Sequence, residues 1–362
     1  MSKSPVRYQA GVEQHIEDEA HTVEGLNATL DTILERTSKD YGHAVRSVHA
    51  KSHGVLKGEL SVEGGLSAEL AQGLFAVPGV HKVLIRLSTN AGDILPDVIS
   101  LSRGFAMKVL DAPGERLLGS EGTAQDFVMI NGNVFLAPTA KKFLGNLKLL
   151  AKTTDRMEGT KKMVSAALGG VRQAFEAVGQ EAPAAVNALG GAPNVEPLGE
   201  TYFSATAFRY GDYIAKFSVK PLAPAMTALT GKIIDVDGRD NAIREEVQKE
   251  MRRLDAEWEF RVQLCRDLKE QPVEDPTVEW DEAAAPYVRV GTVRVAAQDS
   301  WSQESVDLIN EQTRFSVWTG IEAHRPLGNV NRARKDTYRH SADFRARVNG
   351  CPYDEPSSSG SS

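Results

Sequence analysis

The chain has 362 residues, 41% of them hydrophobic and 25% charged, which is the composition of a globular protein with a large core. Its formal net charge of −7 at pH 7 argues against nucleic acid or an anionic membrane as a partner, because both require a basic surface. No apolar run of about 18 residues occurs, so no transmembrane segment is expected. The polar N-terminus lacks the apolar stretch of a secretory signal, and two cysteines fit a cytoplasmic location.

Hydrophobic periodicity predicts a helix followed by many short strands. Residues 24–38 place their leucines on one helical face, and Gly42 is expected to end this helix. Residues 55–62 and 83–88 alternate apolar and polar side chains, as half-buried strands do. Further strands are expected at residues 105–110, 127–130, 202–210, 213–219, 257–264 and 288–295. Short strands joined by polar turns indicate a mostly antiparallel sheet or barrel.

Three segments differ from this strand pattern. Residues 141–198 are rich in alanine, lysine and glycine, and they predict one or two helices and a loop inserted over the sheet. Residues 241–254 carry an apolar stripe at helical spacing and predict a helix. Residues 329–348 are polar and charged without an apolar stripe, which is typical of a surface helix.

Two fragments far apart in the chain carry chemically useful side chains. Near the C-terminus, Arg334 and Tyr338 are four residues apart, so a helix places them on the same face. A neighbouring guanidinium favours the phenolate form of tyrosine, which is a known iron ligand. Near the N-terminus, His49 follows Arg46 in the string Arg-Ser-Val-His-Ala-Lys, and a neutral imidazole suits acid–base chemistry at neutral pH.

Two further strings lie between these fragments. Alternation on the predicted strand at residues 83–88 places Arg86 and Ser88 on one face. The string Ser-Arg-Gly-Phe-Ala-Met-Lys at residues 102–108 is the most specific of the set. His43 and His53 also lie near His49, but neither follows an Arg-x-x sequence.

In this order, the strings resemble the haem catalase superfamily. The resemblance implies an α+β fold: a catalase-like antiparallel β-barrel with covering helices, and haem b buried between the barrel and a C-terminal helix. It also implies an N-terminal arm and helix at residues 1–40, a haem domain at 41–350 with the helical insertion at about 141–198, and a flexible tail at 351–362.

The same resemblance implies a role for each candidate residue. Tyr338 is expected to ligate the haem iron, with Arg334 stabilising its phenolate. His49 is expected to be the distal acid–base group, and Ser88 to fix its tautomer. Three arginines are expected to pair with the haem propionates, and an aromatic ring is expected to stack on the haem. These residues are Arg46, Arg86 and Arg345 (with Arg347 as an alternative to Arg345), and Phe135 for the ring.

The chain also departs from full-length catalases. No asparagine stands in the string at residues 119–125 before the aromatic segment, which leaves Thr123 or Gln125 as candidates to polarise peroxide. Only 24 residues follow Tyr338, so no C-terminal helical domain is expected. Both features resemble the small catalase-like branch, which includes minimal catalase-related peroxidases and allene oxide synthase-like proteins.

This branch implies an enzyme, namely a haem peroxidase of the oxidoreductase class. It is expected to reduce hydrogen peroxide or organic hydroperoxides through a ferryl haem, with weak catalase activity. A hydroperoxide isomerase of the allene oxide synthase type and a non-catalytic haem-binding protein are the alternatives. The expected partners are a hydroperoxide substrate, an unknown electron donor and a second copy in a homodimer.

Overall fold

The computed structural model describes residues 3–153, 191–351 and 356. Part of the predicted helical insertion, residues 154–190, and most of the predicted flexible tail lie outside the described residues. Among the described helices, none combines the length and apolar character needed to cross a membrane.

Within the described residues, nine antiparallel strands form one sheet. They are β1 Ser52–Val62, β2 Val80–Thr89, β3 Arg103–Val109, β4 Gln125–Ile130, β5 Tyr202–Phe203, β6 Phe208–Tyr210, β7 Tyr213–Pro221, β8 Ala256–Leu264 and β9 Tyr287–Val295. Their order is β5-β4-β3-β2-β1-β9-β8-β7-β6, and an additional pairing joins β5 to β7. This pairing closes eight of the strands into a barrel, with β6 attached as a hairpin partner of β7. The predicted antiparallel barrel is confirmed.

The barrel interior is filled by alternate side chains of each strand. Phe105, Phe127, Phe217 and Phe260 are all at most 2% exposed, and they belong to one continuous apolar cluster. Successive side chains on a strand point to opposite faces. The residues next to these phenylalanines in the sequence therefore point to the outer face of the barrel. On β2 and β3 the outer face carries the polar strings predicted from the sequence.

The barrel is covered by helices on its outer surface. They are α1 Glu19–Tyr41, α2 Ala140–Thr153, α3 Pro224–Thr227, α4 Ala242–Met251, α5 Gln303–Ser305, a π-helix at Val306–Gln312 and α6 Asn329–Asn349. Apolar contacts of Leu26 and Leu30 with Ala140, Leu147 and Ala333 pack α1 against α2 and α6. Gly42 ends α1 with a left-handed φ of 63°, as the sequence predicted.

One predicted strand is divided in the structure. The expected strand at 202–210 is split into β5 and β6, because Ala205 has a left-handed φ of 56°. Around it, the Ser204 hydroxyl donates to the Thr206 carbonyl, and the Thr206 amide donates to the Ser204 carbonyl. Side chain–backbone bonds of this kind favour a turn over a strand. The turn also places Thr206 next to α6.

Candidate active site

A cavity of about 650 Å³, including its open mouth, lies between the outer face of β2–β4 and helix α6. The described residues that line it are Arg46, Ser47, Val48, His49, Arg86, Ser88, Gly104, Phe105, Ala106, Val128, Met129, Arg314, Phe315, Tyr338, Ser341, Ala342 and Arg345. The cavity therefore brings together His49, Ser88, Arg46, Arg86, Tyr338 and Arg345, although the sequence separates them by up to 299 positions.

His49 lies just before β1 in a strained backbone conformation. Its φ is 53°, a left-handed value that costs a non-glycine residue roughly 1 kcal/mol or more and that is frequent at functional sites. The ring Nδ1 lies 3.0 Å from the Ser88 hydroxyl oxygen. Burial, aided by the positive charges of Arg86, Arg334 and Arg46, lowers the pKa of His49 to about 3. The imidazole is therefore neutral at physiological pH, and among the described residues its Nε2 has no protein hydrogen-bond partner.

The absence of a side chain at Gly104 leaves room for the His49 ring to pack against the barrel. A Cβ atom at position 104 would lie 2.6 Å from both Nδ1 and Cε1 of His49, and 3.0 Å from the Ser88 hydroxyl oxygen. In the sheet register, Ser88 on β2 is directly opposite Gly104 on β3. Position 104 therefore requires glycine, because any side chain there would displace the His49 imidazole.

The lysine of the same string has a structural role. Lys108 and Asp126 form a fully buried ion pair with an N–O distance of 2.8 Å. The second carboxylate oxygen of Asp126 accepts a hydrogen bond from the Ser316 amide at 2.8 Å. The Lys108 ammonium lies 5.8 Å from the ring of Phe315. This pair fixes the segment that presents Phe315 to the cavity, a ring that no sequence pattern indicated.

Tyr338 faces the cavity from α6. Its hydroxyl oxygen accepts two hydrogen bonds from Arg334, one from Nε at 3.2 Å and one from Nη2 at 2.9 Å. This forked guanidinium contact fixes the position of the phenol oxygen at the cavity wall. The predicted pairing of Arg334 with Tyr338 on one helical face is therefore present.

A buried asparagine, which the sequence analysis missed, holds Arg334 in place. Asn331 is fully buried, and its side-chain oxygen accepts from Arg334 Nη1 at 3.1 Å and from the Thr206 hydroxyl at 3.2 Å. Its amide nitrogen donates to the carbonyls of Ala207 and Leu327 at 3.1 and 3.0 Å. The amide oxygen accepts two hydrogen bonds and the amide nitrogen donates two, so the hydrogen-bonding capacity of Asn331 is filled. The Asn331 side chain is therefore fixed, and it holds the Arg334 guanidinium in position.

The three arginines predicted to bind propionates meet at the π-helix. Arg46 donates to the Asn310 carbonyl at 2.6 Å, and Arg86 donates to the Asn310 side-chain oxygen at 2.9 Å. Arg345 donates to the carbonyls of Asn310 and Glu311 at 3.3 and 3.0 Å. Burial and the nearby charge of Arg345 lower the pKa of Arg86 to about 9. The cluster is a site where an anion would be stabilised.

Asn310 was also missed by the sequence analysis. It lies in the π-helix Val306–Gln312, a rare element that is frequent at functional sites. Among the described residues that line the cavity there are four arginines and no carboxylate. The lining is therefore positively charged and suits an anionic ligand.

Other candidates lie outside the cavity lining. The Phe135 ring packs against Phe143 with centroids 5.4 Å apart. Thr123 donates to the carboxylate of Asp111, and the Gln125 side chain bonds to the backbone of Asp126 and Ile321. Among the described lining residues, none is an asparagine or a glutamine.

The alternative residues also lie elsewhere. His43 pairs with Glu311 at 2.9 Å on the surface, and Arg347 is exposed at the end of α6. His53 is completely buried, with neither ring nitrogen hydrogen-bonded within the described residues. His49 is therefore the histidine that lines the cavity.

Three solved catalase structures share this architecture. A fungal catalase superposes with a TM-score of 0.58 at 16% identity, over 97% of this chain and 68% of that chain. Catalase A from Saccharomyces cerevisiae gives 0.60 at 16% identity, over 98% and 72%, and a bacterial catalase gives 0.57 at 18% identity, over 97% and 66%. No family model and no curated protein matches the chain. The chain has the catalase fold.

Proposed function

We propose that this protein is a haem-dependent peroxidase that reduces hydrogen peroxide or organic hydroperoxides. The observation that carries the proposal is the pairing of two sites in one cavity: His49 with Ser88 on the barrel wall, and Tyr338 with Arg334 on α6. The arginine cluster at Asn310 supports haem b as the ligand, because its two propionates supply the anions that this wall attracts. Tyr338 would hold the iron.

The protein residues would perform the proton transfers. The bound haem would supply the electrons that cleave the O–O bond. His49 Nε2 would accept the proton of the incoming hydroperoxide and return it to the departing oxygen. Ser88 would hold Nδ1 and so keep the ring oriented for this transfer. The complete reaction converts a hydroperoxide and two phenols into an alcohol, water and two phenoxyl radicals.

Two features of the cavity favour organic hydroperoxides over rapid disproportionation of hydrogen peroxide. The described lining lacks an amide near His49, and Ala106, Val128 and Phe315 make part of its wall apolar. An apolar wall binds the organic part of a substrate. Catalase activity is therefore expected to be weak.

The test is an absorption spectrum of the purified protein, followed by reaction with cumene hydroperoxide in the presence and absence of guaiacol. We expect a haem absorption band and oxidation of guaiacol that requires the hydroperoxide. His49→Ala should keep the haem band and lose about 10²–10⁴-fold in rate, the usual contribution of a general acid–base group. His21→Ala, at an exposed position on α1, is the matched control.

Other outcomes would identify the alternatives. Consumption of hydroperoxide without guaiacol would indicate an isomerase. A haem band with a rate that His49→Ala leaves unchanged would indicate a non-catalytic haem protein. Failure of haem to bind would refute the proposal.

A further inference from the structure

A second, smaller pocket lies on the surface beside the candidate active site. It is built by the loop around Glu121, the segment from Arg314 to Thr319, and one face of α6. Arg314 lines both this pocket and the larger cavity. Lys335 and Arg339 flank Tyr338 on α6, so the second pocket is about one helical turn from the residue proposed to hold the iron.

The pocket has an excess of positive charge. Arg314, Lys335 and Arg339 supply three cations, and Glu121 supplies the carboxylate. Glu121 bonds to Arg314 at 2.7 Å and lies 3.9 Å from Arg339. Lys335 has no ion-pair partner among the described residues, and its ammonium lies 5.1 Å from the centre of the Trp318 ring.

The pocket also has an apolar side. The Trp318 indole is fixed because its Nε1 donates to the Leu118 carbonyl at 3.0 Å. An aromatic ring next to cations suits an aromatic ligand that carries a carboxylate.

We propose that this pocket binds the reducing substrate, and that the substrate is a phenol bearing a carboxylate. This inference rests on the proposed peroxidase function. An electron donor does not have to reach the iron, whereas the hydroperoxide must reach His49. The second pocket lies about one helical turn from Tyr338 and shares Arg314 with the cavity wall. An electron donor bound there would be close to the haem and would leave the cavity free for the hydroperoxide.

The test separates binding from turnover. Phenylacetate carries the carboxylate and ring but no oxidisable hydroxyl, so its binding is measured by calorimetry and by tryptophan fluorescence, with Trp318→Phe removing the fluorescence change. We expect Lys335→Met and Arg339→Met each to weaken binding by up to about fivefold, as expected for one exposed charge pair. The effect should diminish at high salt. Arg347→Met, which removes an exposed charge from the same helix outside the pocket, is the matched control.

The same variants are then assayed with two donors at a saturating concentration of cumene hydroperoxide. We expect kcat/KM for 4-hydroxyphenylacetate to fall with Lys335→Met and Arg339→Met, and kcat/KM for neutral guaiacol to stay unchanged. Equal effects on both donors, or phenylacetate binding that neither substitution weakens, would overturn the inference. Absence of guaiacol oxidation by the unmodified protein would instead overturn the proposed peroxidase function, while the calorimetric result for phenylacetate would still decide the anion site.

Discussion

The two walls of the cavity hold their functional side chains in different ways. On the barrel wall, position is set by the backbone: His49 has a left-handed φ, Gly104 lacks a side chain, and the β2–β3 register places Ser88 opposite Gly104. On the helix wall, position is set by side chains, because Tyr338 is held through Arg334 and Asn331.

The difference indicates how each wall should respond to substitution. Strand register is shared by many backbone hydrogen bonds, so the barrel wall should keep its shape unless a new atom intrudes. The helix wall depends on a few buried polar atoms, so loss of one partner leaves others unsatisfied. Several contacts join the loop of the barrel wall to α6. Among them are the bond from the Ser47 hydroxyl to the Ser341 hydroxyl at 2.8 Å and the bond from the Ala44 amide to the Asn349 side-chain oxygen at 2.8 Å.

The largest effect is expected on the helix wall. Tyr338→Phe removes the oxygen proposed to bind iron, so haem should be lost or its absorption spectrum strongly altered, with loss of peroxidase activity. The fold should persist, because the rest of the ring is retained. Absorption spectra and thermal unfolding measure the two effects, and Tyr213→Phe on β7 is the control. An unchanged spectrum in Tyr338→Phe would exclude this residue as the ligand.

Acid should destabilise the protein in part through the barrel wall. The folded-state pKa of His49, about 3, lies below its ordinary value of 6.5. The neutral ring therefore contributes stability that is complete above pH 6.5 and is lost as pH falls towards 3. Between pH 6.5 and pH 5 the loss is about 2 kcal/mol.

His49→Gln should lose less free energy of unfolding than the unmodified protein between pH 6.5 and pH 5. Urea unfolding of the two haem-free proteins at each pH measures the difference. Burial also lowers the pKa of His324 to about 3, so some acid sensitivity should remain in the variant. Equal losses of unfolding free energy in both proteins would show that His49 does not titrate as inferred.

Much of the barrel wall could be predicted from the sequence. Apolar and polar side chains alternate regularly along its strands. Each of the strings at 46–51 and 102–108 is a short continuous segment, so a single local pattern includes several of the functional positions. The role of Gly104 still required the structure, because the imidazole that it accommodates is 55 residues away in the chain. Phe135 remains a predicted haem contact, although it does not line the cavity.

The helix wall was harder to predict because the side chains that α6 buries are mostly polar, whereas a buried helix face is usually recognised by an apolar stripe. Residues 329–348 lack an apolar stripe, which predicted a surface helix, yet α6 buries much of one face. That face carries a polar stripe at alternating three- and four-residue spacing: Asn331, Arg334, Tyr338, Ser341 and Arg345. The π-helix around Asn310 and the ring of Phe315 could not be found, because their importance depends on tertiary contacts with distant arginines and Lys108.

An intruding atom should break the barrel wall. Gly104→Ala places a methyl group 2.6 Å from the His49 ring, so the imidazole must move and its bond to Ser88 is lost. Haem binding should persist, while the peroxidase rate falls by about 100-fold, the order expected for a misplacement near 1 Å. Gly145→Ala, where no atom lies within 4 Å of the added Cβ, should leave the rate unchanged. If Gly104→Ala were fully active, backbone positioning of His49 would be refuted.

Loss of a polar partner should destabilise the helix wall. Asn331→Leu has a similar volume, but it removes the amide that donates to the Leu327 carbonyl and the oxygen that accepts from Arg334. The Ala207 carbonyl keeps the Leu327 amide as a donor. The free energy of unfolding should fall by about 1–3 kcal/mol, and the haem spectrum should shift because the phenol loses its fixed guanidinium. Urea denaturation and absorption spectroscopy measure these changes. A stable variant with an unshifted spectrum would mean that Arg334 is held by other contacts.

The smallest effect should come from the bond that only orients the histidine. Ser88→Ala removes the hydroxyl 3.0 Å from Nδ1, but the backbone at His49 and the space above Gly104 stay the same. The rate should fall about tenfold, as for other residues that orient a catalytic group, with haem content and spectrum retained. Ser88→Thr keeps a hydroxyl and should recover part of the rate if its methyl group is accommodated. A loss as large as that of Gly104→Ala would show instead that the Ser88 side chain, and not the backbone, determines the position of the imidazole.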